Sequence, residues 1–396
     1  MSSIELSPKQ ELGLRIAAQR FRNGEPYTVI SGYAGSGKST LIKFIIAALG
    51  IPDEQVAYIA FTGKAANVLK QKGCPNATTA HKLLYYAKPT PSGKYIFSPK
   101  ASFEENYKII VVDEVSMLPK SMWNLLLSHK IYVLATGDPG QLPPINKEED
   151  NHVLDNPHVF LDQIMRQAQE SEIIRLSMHI REGQPLSSFQ AVGAQVQIIP
   201  QSQVVTGMYD WADQILCATN QKRNELNMTI RTLRGYNPTI PNEEDKIISL
   251  RNHWDYLSQE LTPLTNGAIG HIKMYSQYNL KLPYYIYDKP LPIMLTDIIS
   301  EDGEHFNGIP IDYTSLTTGQ KALSPQQEYK MLKNKNCVDP PFEFAYGYAI
   351  TCHKAQGSEW DKVLVFEENF PFDKEDHKRW LYTACTRATK KLVIIT

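Results

Sequence analysis

The sequence predicts an α/β chain built as two parallel-sheet halves, with a small hairpin inserted in the first and a β-rich module in the second. Three observations carry this. Short β-branched apolar runs alternate with helical stretches through residues 27–135, and the rhythm returns through 172–235 and 344–396. Polar residues follow the apolar runs: Lys38, Thr62, Asp113 and Gln141 stand beyond four separate ones. In an open α/β sheet that is the edge where ligands bind. Between residues 236 and 340, short strands, an N-G turn and scattered prolines replace the helical rhythm. The expected boundaries are 1–84 with 105–170 for the first half and 85–104 for the hairpin. The second half takes 171–235 with 341–396, and the module 236–340.

Composition narrows the class. With 396 residues and 42% hydrophobic content, the chain is long enough for two or three domains with cores of their own. No apolar run approaches transmembrane length, and the opening MSSIELS lacks the basic and apolar regions of a signal peptide. A cytoplasmic, non-secreted protein without a membrane partner is expected. The five cysteines are odd in number and form no C-x-x-C pair, which favours reduced thiols over zinc or disulfides. A net charge of −1 gives no general attraction for nucleic acid, so any such contact must come from a local patch.

The first element is a helix over 7–22. Ser7 caps it, Pro8 suits its first turn and Gln10 completes a capping box. That suffices to explain Gln10, and local sequence favours it; the alternative is that its amide, both donor and acceptor, reads adenine. Residues 27–31 then form a strand, GYAGSGKS at 32–39 follows, and Leu41, Ile42, Ile45, Ile46 and Leu49 repeat at helical spacing until Gly50 and Pro52. Strand, glycine loop and helix are the context that the P-loop pattern G-x-x-x-x-G-K-[ST] requires. Its glycines let backbone N–H groups converge on phosphates, Lys38 adds a point charge and Ser39 offers a hydroxyl to Mg²⁺. At ordinary glycine frequency a chance match in such a chain is on the order of one in a hundred. The loop is a nucleoside triphosphate site.

A second strand over 56–61 delivers Thr62 and Lys64 to a helix running through Leu69, and the cluster TTAHKL at 78–83 follows. Residues 85–103 are punctuated by Pro89, Pro91 and Gly93 between aromatic residues, as in a hairpin. Continuous apolar strands over 108–112 and 131–135 end in Asp113-Glu114 and in Gly137-Asp138 before Gln141. In the second half, a helix is expected over 172–179, a strand over 214–218 and a helix over 221–234. Module strands are expected over 246–250 and 268–274. A strand over 363–366, a helix over 378–387 and a strand over 392–395 close the chain.

These motifs together resemble superfamily 1B DNA helicases of the RecD/Dda type, almost end to end. GYAGSGKST at 32–40 is similar to motif I, FTGKAA at 61–66 to motif Ia, and TAH at 79–81 to the next DNA-contacting element. VDEVSM at 112–117 is similar to motif II, and GDPGQLPP at 137–144 to motif III. MRQ at 165–167 sits where the family places a motif IV arginine. TCHKAQGSE at 351–359 is similar to motif V, and YTACTRA at 382–388 to motif VI. DKIISLRN at 245–252 and NGAIG at 266–270 resemble the family's SH3-like insertion. Trp360 departs from a more usual phenylalanine.

The resemblance implies two RecA-like parallel-sheet domains that hydrolyse ATP with Mg²⁺. Its implied nucleotide contacts are Gln10, Gly35, Ser36, Gly37, Lys38, Ser39, Thr40 and Gly357, with Ser39 and Asp113 on the metal. Lys38, Glu114, Gln141, Arg166 and Arg387 are the expected catalytic set: phosphate clamp, water activation, γ-phosphate sensing and two arginine fingers. Set against these roles, Asp113-Glu114 could be an acidic first turn, Gln141 a loop tether, and a lone arginine a surface residue. Thr62, Lys64, His81, Thr351 and His353 match positions facing single-stranded DNA, although each histidine alone could be structural. Single-stranded DNA and forks are the implied partners, with replication or recombination proteins beyond them, and a monomer is expected. The implied activity is 5′-to-3′ translocation with unwinding. A translocase that does not unwind, an RNA helicase and, further off, a nucleotide-dependent switch or loader are the alternatives.

Overall fold

The computed structural model describes residues 5–74, 76–89, 95–143, 147–165, 170–260, 262–334, 336–368 and 373–396. It divides into two compact units. One comprises Met1–Tyr86, Ser98–Ala218 and Ala355–Thr396; the other comprises Ala87–Phe97 and Thr219–Lys354.

The first unit holds two parallel sheets. In one, β1 (Tyr27–Gly32), β2 (Val56–Ala60), β3 (Ala77–Thr79), β6 (Ile109–Val112), β7 (Tyr132–Gly137) and β8 (Val159–Leu161) lie in the order β3-β2-β6-β7-β1-β8. Every pairing is parallel. Continuous apolar runs become central strands because both faces are covered. Ile109 and Val111 enter one core with Ile42 and Ile45, while Ile110 and Val112 enter the other with Trp123 and Leu126. Between these strands, β4 (Tyr85–Pro89) and β5 (Tyr95–Pro99) pair as the expected hairpin, whose tip lies outside the described residues.

Helix α1 (Pro8–Arg22) carries the capping box read from Ser7 and Gln10. Helix α2 (Lys38–Leu49) stops at Gly50, whose φ of 62° closes the last turn. Helix α3 (Gly63–Gln71) starts at Thr62, which accepts a bond from Ala65 N.

The other sheet sets Val196–Ile199, Ala388–Ile395, Trp360–Phe366 and Gln214–Cys217 side by side, all parallel. The helix expected over 378–387 instead spans Lys374–Cys385. It starts earlier because the Asp373 carboxylate accepts from Glu375 N and Asp376 N, both at 2.9 Å. It stops short of Arg387, which falls in the turn before the last strand.

The second unit is built on an antiparallel sheet in the order His305–Asp312, Leu291–Ser300, Ile269–Leu280, Lys246–Ser249, Phe344–Tyr346. Strand Ile269–Leu280 runs well past the expected end at residue 274. Arg231, on helix Asn220–Leu233, is fully buried. It pairs with Asp245, donates to the carbonyls of Asn237 (2.7 Å) and Ile240 (2.6 Å), and lies 4.0 Å over the Tyr346 ring. Tyr348 donates to Asp245 Oδ1 at 2.6 Å, and Asn242 N donates to Oδ2 at 2.7 Å. Among the described residues no helix is long and apolar enough to cross a membrane.

Candidate active site

The site grows from the ends of β1, β6 and β7, neighbours in the sheet. Beyond β1, Gly35 and Gly37 take φ values of 76° and 80°, a region a Cβ disfavours, and the loop turns into α2. The Lys38 ammonium donates to the carbonyls of Gly32 at 2.6 Å and Tyr33 at 3.0 Å. Ser36 is buried, and its Oγ has no hydrogen-bond partner. Ser39 and Thr40 follow in the first turn of α2, Ser39 exposed.

Gln10 does two jobs at once. Its Oε1 accepts from Ser7 N at 2.9 Å, completing the cap, while Nε2 donates to the carbonyls of Ser36 and Gly37, both at 3.4 Å. The amide therefore ties α1 to the phosphate loop.

Asp113 accepts from Thr136 Oγ1 at 3.1 Å. Burial pushes its carboxyl above the ordinary range and the adjacent Glu114 adds to the rise, against the Thr136 hydroxyl and the Lys38 charge. A divalent cation would offset that cost. Glu114 has φ 48° and ψ 58°, left-handed for a residue with a side chain. Such backbone strain persists only where the surroundings over-determine it. Gln141 Nε2 donates to Glu114 Oε1 at 3.2 Å, and Arg387 Nη1 stands 4.0 Å from that oxygen. Glu114 Oε2 is buried with no hydrogen-bond partner. Arg387 is only 3% exposed and is aimed by the carbonyls of Thr383 and Ser358. An orphaned carboxylate oxygen, an orphaned serine hydroxyl and a lysine at a glycine loop fit a magnesium-bound triphosphate.

Some residues here were quoted in motifs but given no role from sequence. Tyr382 accepts from Ala34 N at 2.9 Å and donates to Asp138 Oδ2 at 2.7 Å, so one hydroxyl joins the loop after β1 to that after β7. Burial, with Asp138 beside it, holds its phenol well above the usual value. Leu142 is gripped through its backbone: its N donates to Thr383 Oγ1 at 2.9 Å, and its carbonyl accepts from Gln356 Nε2 at 2.6 Å. Arg181 lies 3.8 Å over the Tyr33 ring. Their signal was position: Tyr382, Thr383 and Gln356 fall inside matched motifs.

The other expected residues are placed as follows. Arg166 lies outside the described residues, and Lys64 sits in α3 with its side chain outside them. Atoms nearest a Cβ built on Gly357 belong to Met117, Thr62 and Ala65. Thr62 caps α3. His81 is stacked on Tyr85 with the Phe61 ring tilted against it, and burial drives its pKa down to about 3. In the second unit Thr351 is buried, and His353 is held below its ordinary value by burial and then by Lys354. Lys354 itself is pushed down to about 8, chiefly by burial, with its ammonium on Leu250 O and Asn266 Oδ1.

Residues 5–202 match the AAA domain family, and residues 346–395 match the UvrD-like helicase C-terminal domain. The chain therefore belongs to the AAA-domain family. It is 26% identical over 383 residues to the ATP-dependent RecD2 DNA helicase of Deinococcus radiodurans, covering 92% of this chain and 46% of that protein. It is 27% identical over 155 residues to the ATP-dependent DNA helicase dda of Enterobacteria phage T4, covering 38% of this chain and 35% of that one. The chain thus spans less than half the length of either relative. A structure of two coordinating Pif1 helicases at forked double-stranded DNA superposes with a TM-score of 0.53 at 17% identity, covering 100% of this chain and 92% of that one. That likeness establishes the fold: the two parallel sheets are RecA-like. Across its motifs the chain is thus similar to superfamily 1B helicases of the RecD/Dda type.

Proposed function

We propose that this protein is an ATP-driven motor that moves 5′ to 3′ on single-stranded DNA and unwinds the duplex ahead. The observation that carries the reading is the meeting of Glu114, Gln141 and Arg387 beside the Lys38 loop. Lys38 would hold the β- and γ-phosphates, with Gly35, Ser36, Gly37 and Thr40 around them; Ser39 and Asp113 would hold Mg²⁺. The metal, when bound, neutralises phosphate charge. Glu114 would orient and deprotonate water, with Gln141 fixing its carboxylate, and Arg387 would stabilise the charge that develops on the phosphoryl group. Arg166 is assigned the second finger by its motif position, and Gln10 and Gly357 complete the nucleotide contacts.

Polarity follows the family, as do the strand contacts Thr62, Lys64, His81, Thr351 and His353. His81 would act as a neutral stacking ring, since burial keeps it uncharged. The hairpin over 85–104 is assigned the strand-separating wedge, and the module over 236–340 an SH3-like role beside the track. We place the protein in the cytoplasm as a monomer serving replication or recombination.

One assay tests this: ATP-dependent unwinding of 5′- and 3′-tailed DNA and RNA forks with hydrolysis measured alongside. The reading expects the 5′-tailed DNA fork to be opened and Lys38→Ala to abolish hydrolysis. Better unwinding of the 3′-tailed fork would overturn the polarity. Shortening the hairpin should leave ATPase intact and stop unwinding.

A further inference from the structure

The second unit carries an aromatic and basic face that none of the motor motifs uses. Tyr284 is 86% exposed, Tyr329 61% and Tyr285 54%, the highest exposures among the aromatic side chains of the described residues. They are not on a loose loop. Ile286 and Leu291, which follow the tyrosine pair, share a small core with Leu323 and Met331 of the segment opposite. Asn334 Nδ2 donates to Tyr285 OH at 2.7 Å, and Lys330 Nζ donates to the Tyr285 carbonyl at 3.2 Å. Tyr284 and Tyr285 meet edge to face with centroids 5.8 Å apart, and Lys333 Nζ stands 5.5 Å over the Tyr329 ring. The rings are therefore held outward by a packed platform.

The charge around them is mostly positive. Lys281, Lys289, Lys330 and Lys333 are exposed, and no ion pair to any of them is formed among the described residues. Of the acids in residues 281–289 and 325–334, Glu328 is turned onto Arg251 at 3.0 Å and Lys321 at 4.0 Å, which leaves Asp288. Protein-binding faces also use tyrosine, and Leu332 is exposed on the same helix as Tyr329, but such faces are depleted in lysine. Fixed aromatic rings among unpaired lysines instead match the chemistry of stacked bases and phosphates.

We infer that the face formed by Tyr284, Tyr285, Tyr329, Lys330 and Lys333 binds single-stranded nucleic acid at a site separate from the motor's own strand contacts. Tyrosine rings stack on bases without reading them, and the lysines neutralise backbone phosphates. The inference draws on the helicase reading only for the availability of a single strand.

The test uses the full chain without nucleotide and measures anisotropy of labelled oligo(dT), one of roughly 8 nucleotides and one of about 30, the shorter fitting a single site. The Tyr284→Ser/Tyr329→Ser variant changes two exposed side chains, and Lys330→Glu/Lys333→Glu reverses charge while also removing the Lys330 bond to the Tyr285 carbonyl and the Lys333 contact with Tyr329. The long oligonucleotide should lose about tenfold in affinity or more with the tyrosine variant. The charge variant should lower its salt dependence by a log–log slope of about 1 to 2. The short one should bind both variants as it binds wild type, and with ATP added in a separate assay the DNA-stimulated ATPase should be unchanged. Wild-type affinity of both variants for the long oligonucleotide would overturn the inference and leave the motor reading standing. Failure of wild type to bind either oligonucleotide would remove both.

Discussion

Glu114 in the first unit and Asp245 in the second are both carboxylates drawn in beside an arginine, and they are finished differently. Asp245 is saturated: Arg231 and Asn242 N hold one oxygen and Tyr348 the other. Glu114 has one oxygen on Gln141 with Arg387 nearby, and the other is buried without a hydrogen bond on a strained backbone. A closed carboxylate serves architecture, because nothing remains for it to bind. An open one is maintained at a cost in stability, and that cost marks where a ligand or water belongs.

The difference can be broken by mutation. Glu114→Gln should lower kcat for ATP hydrolysis by about 10³-fold, roughly 4 kcal/mol in barrier, while fluorescent-nucleotide titration shows binding retained. Undiminished turnover would make Glu114 as architectural as Asp245. Asp245→Asn should act the other way. Leaving Arg231 buried without its counter-charge should cost about 3 kcal/mol in denaturant unfolding, with kcat of the folded protein unchanged at low temperature. Tyr382→Phe removes the bonds to Ala34 N and Asp138. A loss of about 2 kcal/mol, as a lower melting temperature and a raised KM for ATP, is expected.

The smallest effect concerns acid. His81 and His253, one in each unit, titrate at about 3 and about 4 in the fold against an ordinary 6.5, both chiefly through burial. The folded protein stays neutral there while the unfolded chain takes up protons. Stability is thus fully present above pH 6.5 and falls as pH drops toward 4. His81→Gln should flatten part of that fall in melting temperature against pH.

Local pattern made much of this legible. Apolar runs ending in charge placed Lys38, Asp113 and Gln141 at one sheet edge because two covered faces leave only the strand ends for chemistry. Bonds joining distant segments were not readable. Nothing around Glu172 says that its carboxylate accepts from the backbone N–H groups of Val192, Gly193, Gln195 and Val196. Strand Ile269–Leu280 outran its expected end because its far half is exposed and carries polar residues, so no apolar pattern continued. Helix Pro325–Lys333 was legible and passed over: Ser324, Pro325 and Gln327 repeat the capping box of Ser7, Pro8 and Gln10. Its one proline, Pro325, belongs to the scattered prolines that suggest a β-rich module.

The amide of Gln10 has a mechanical implication. Because it bonds both the start of α1 and the carbonyls of Ser36 and Gly37, the first helix and the phosphate loop form one linkage. Tension applied at the N-terminus, by an optical trap or a surface tether, would reach the loop through that side chain as well as through the packing of α1 on α2. A handle attached at Thr396 avoids that route.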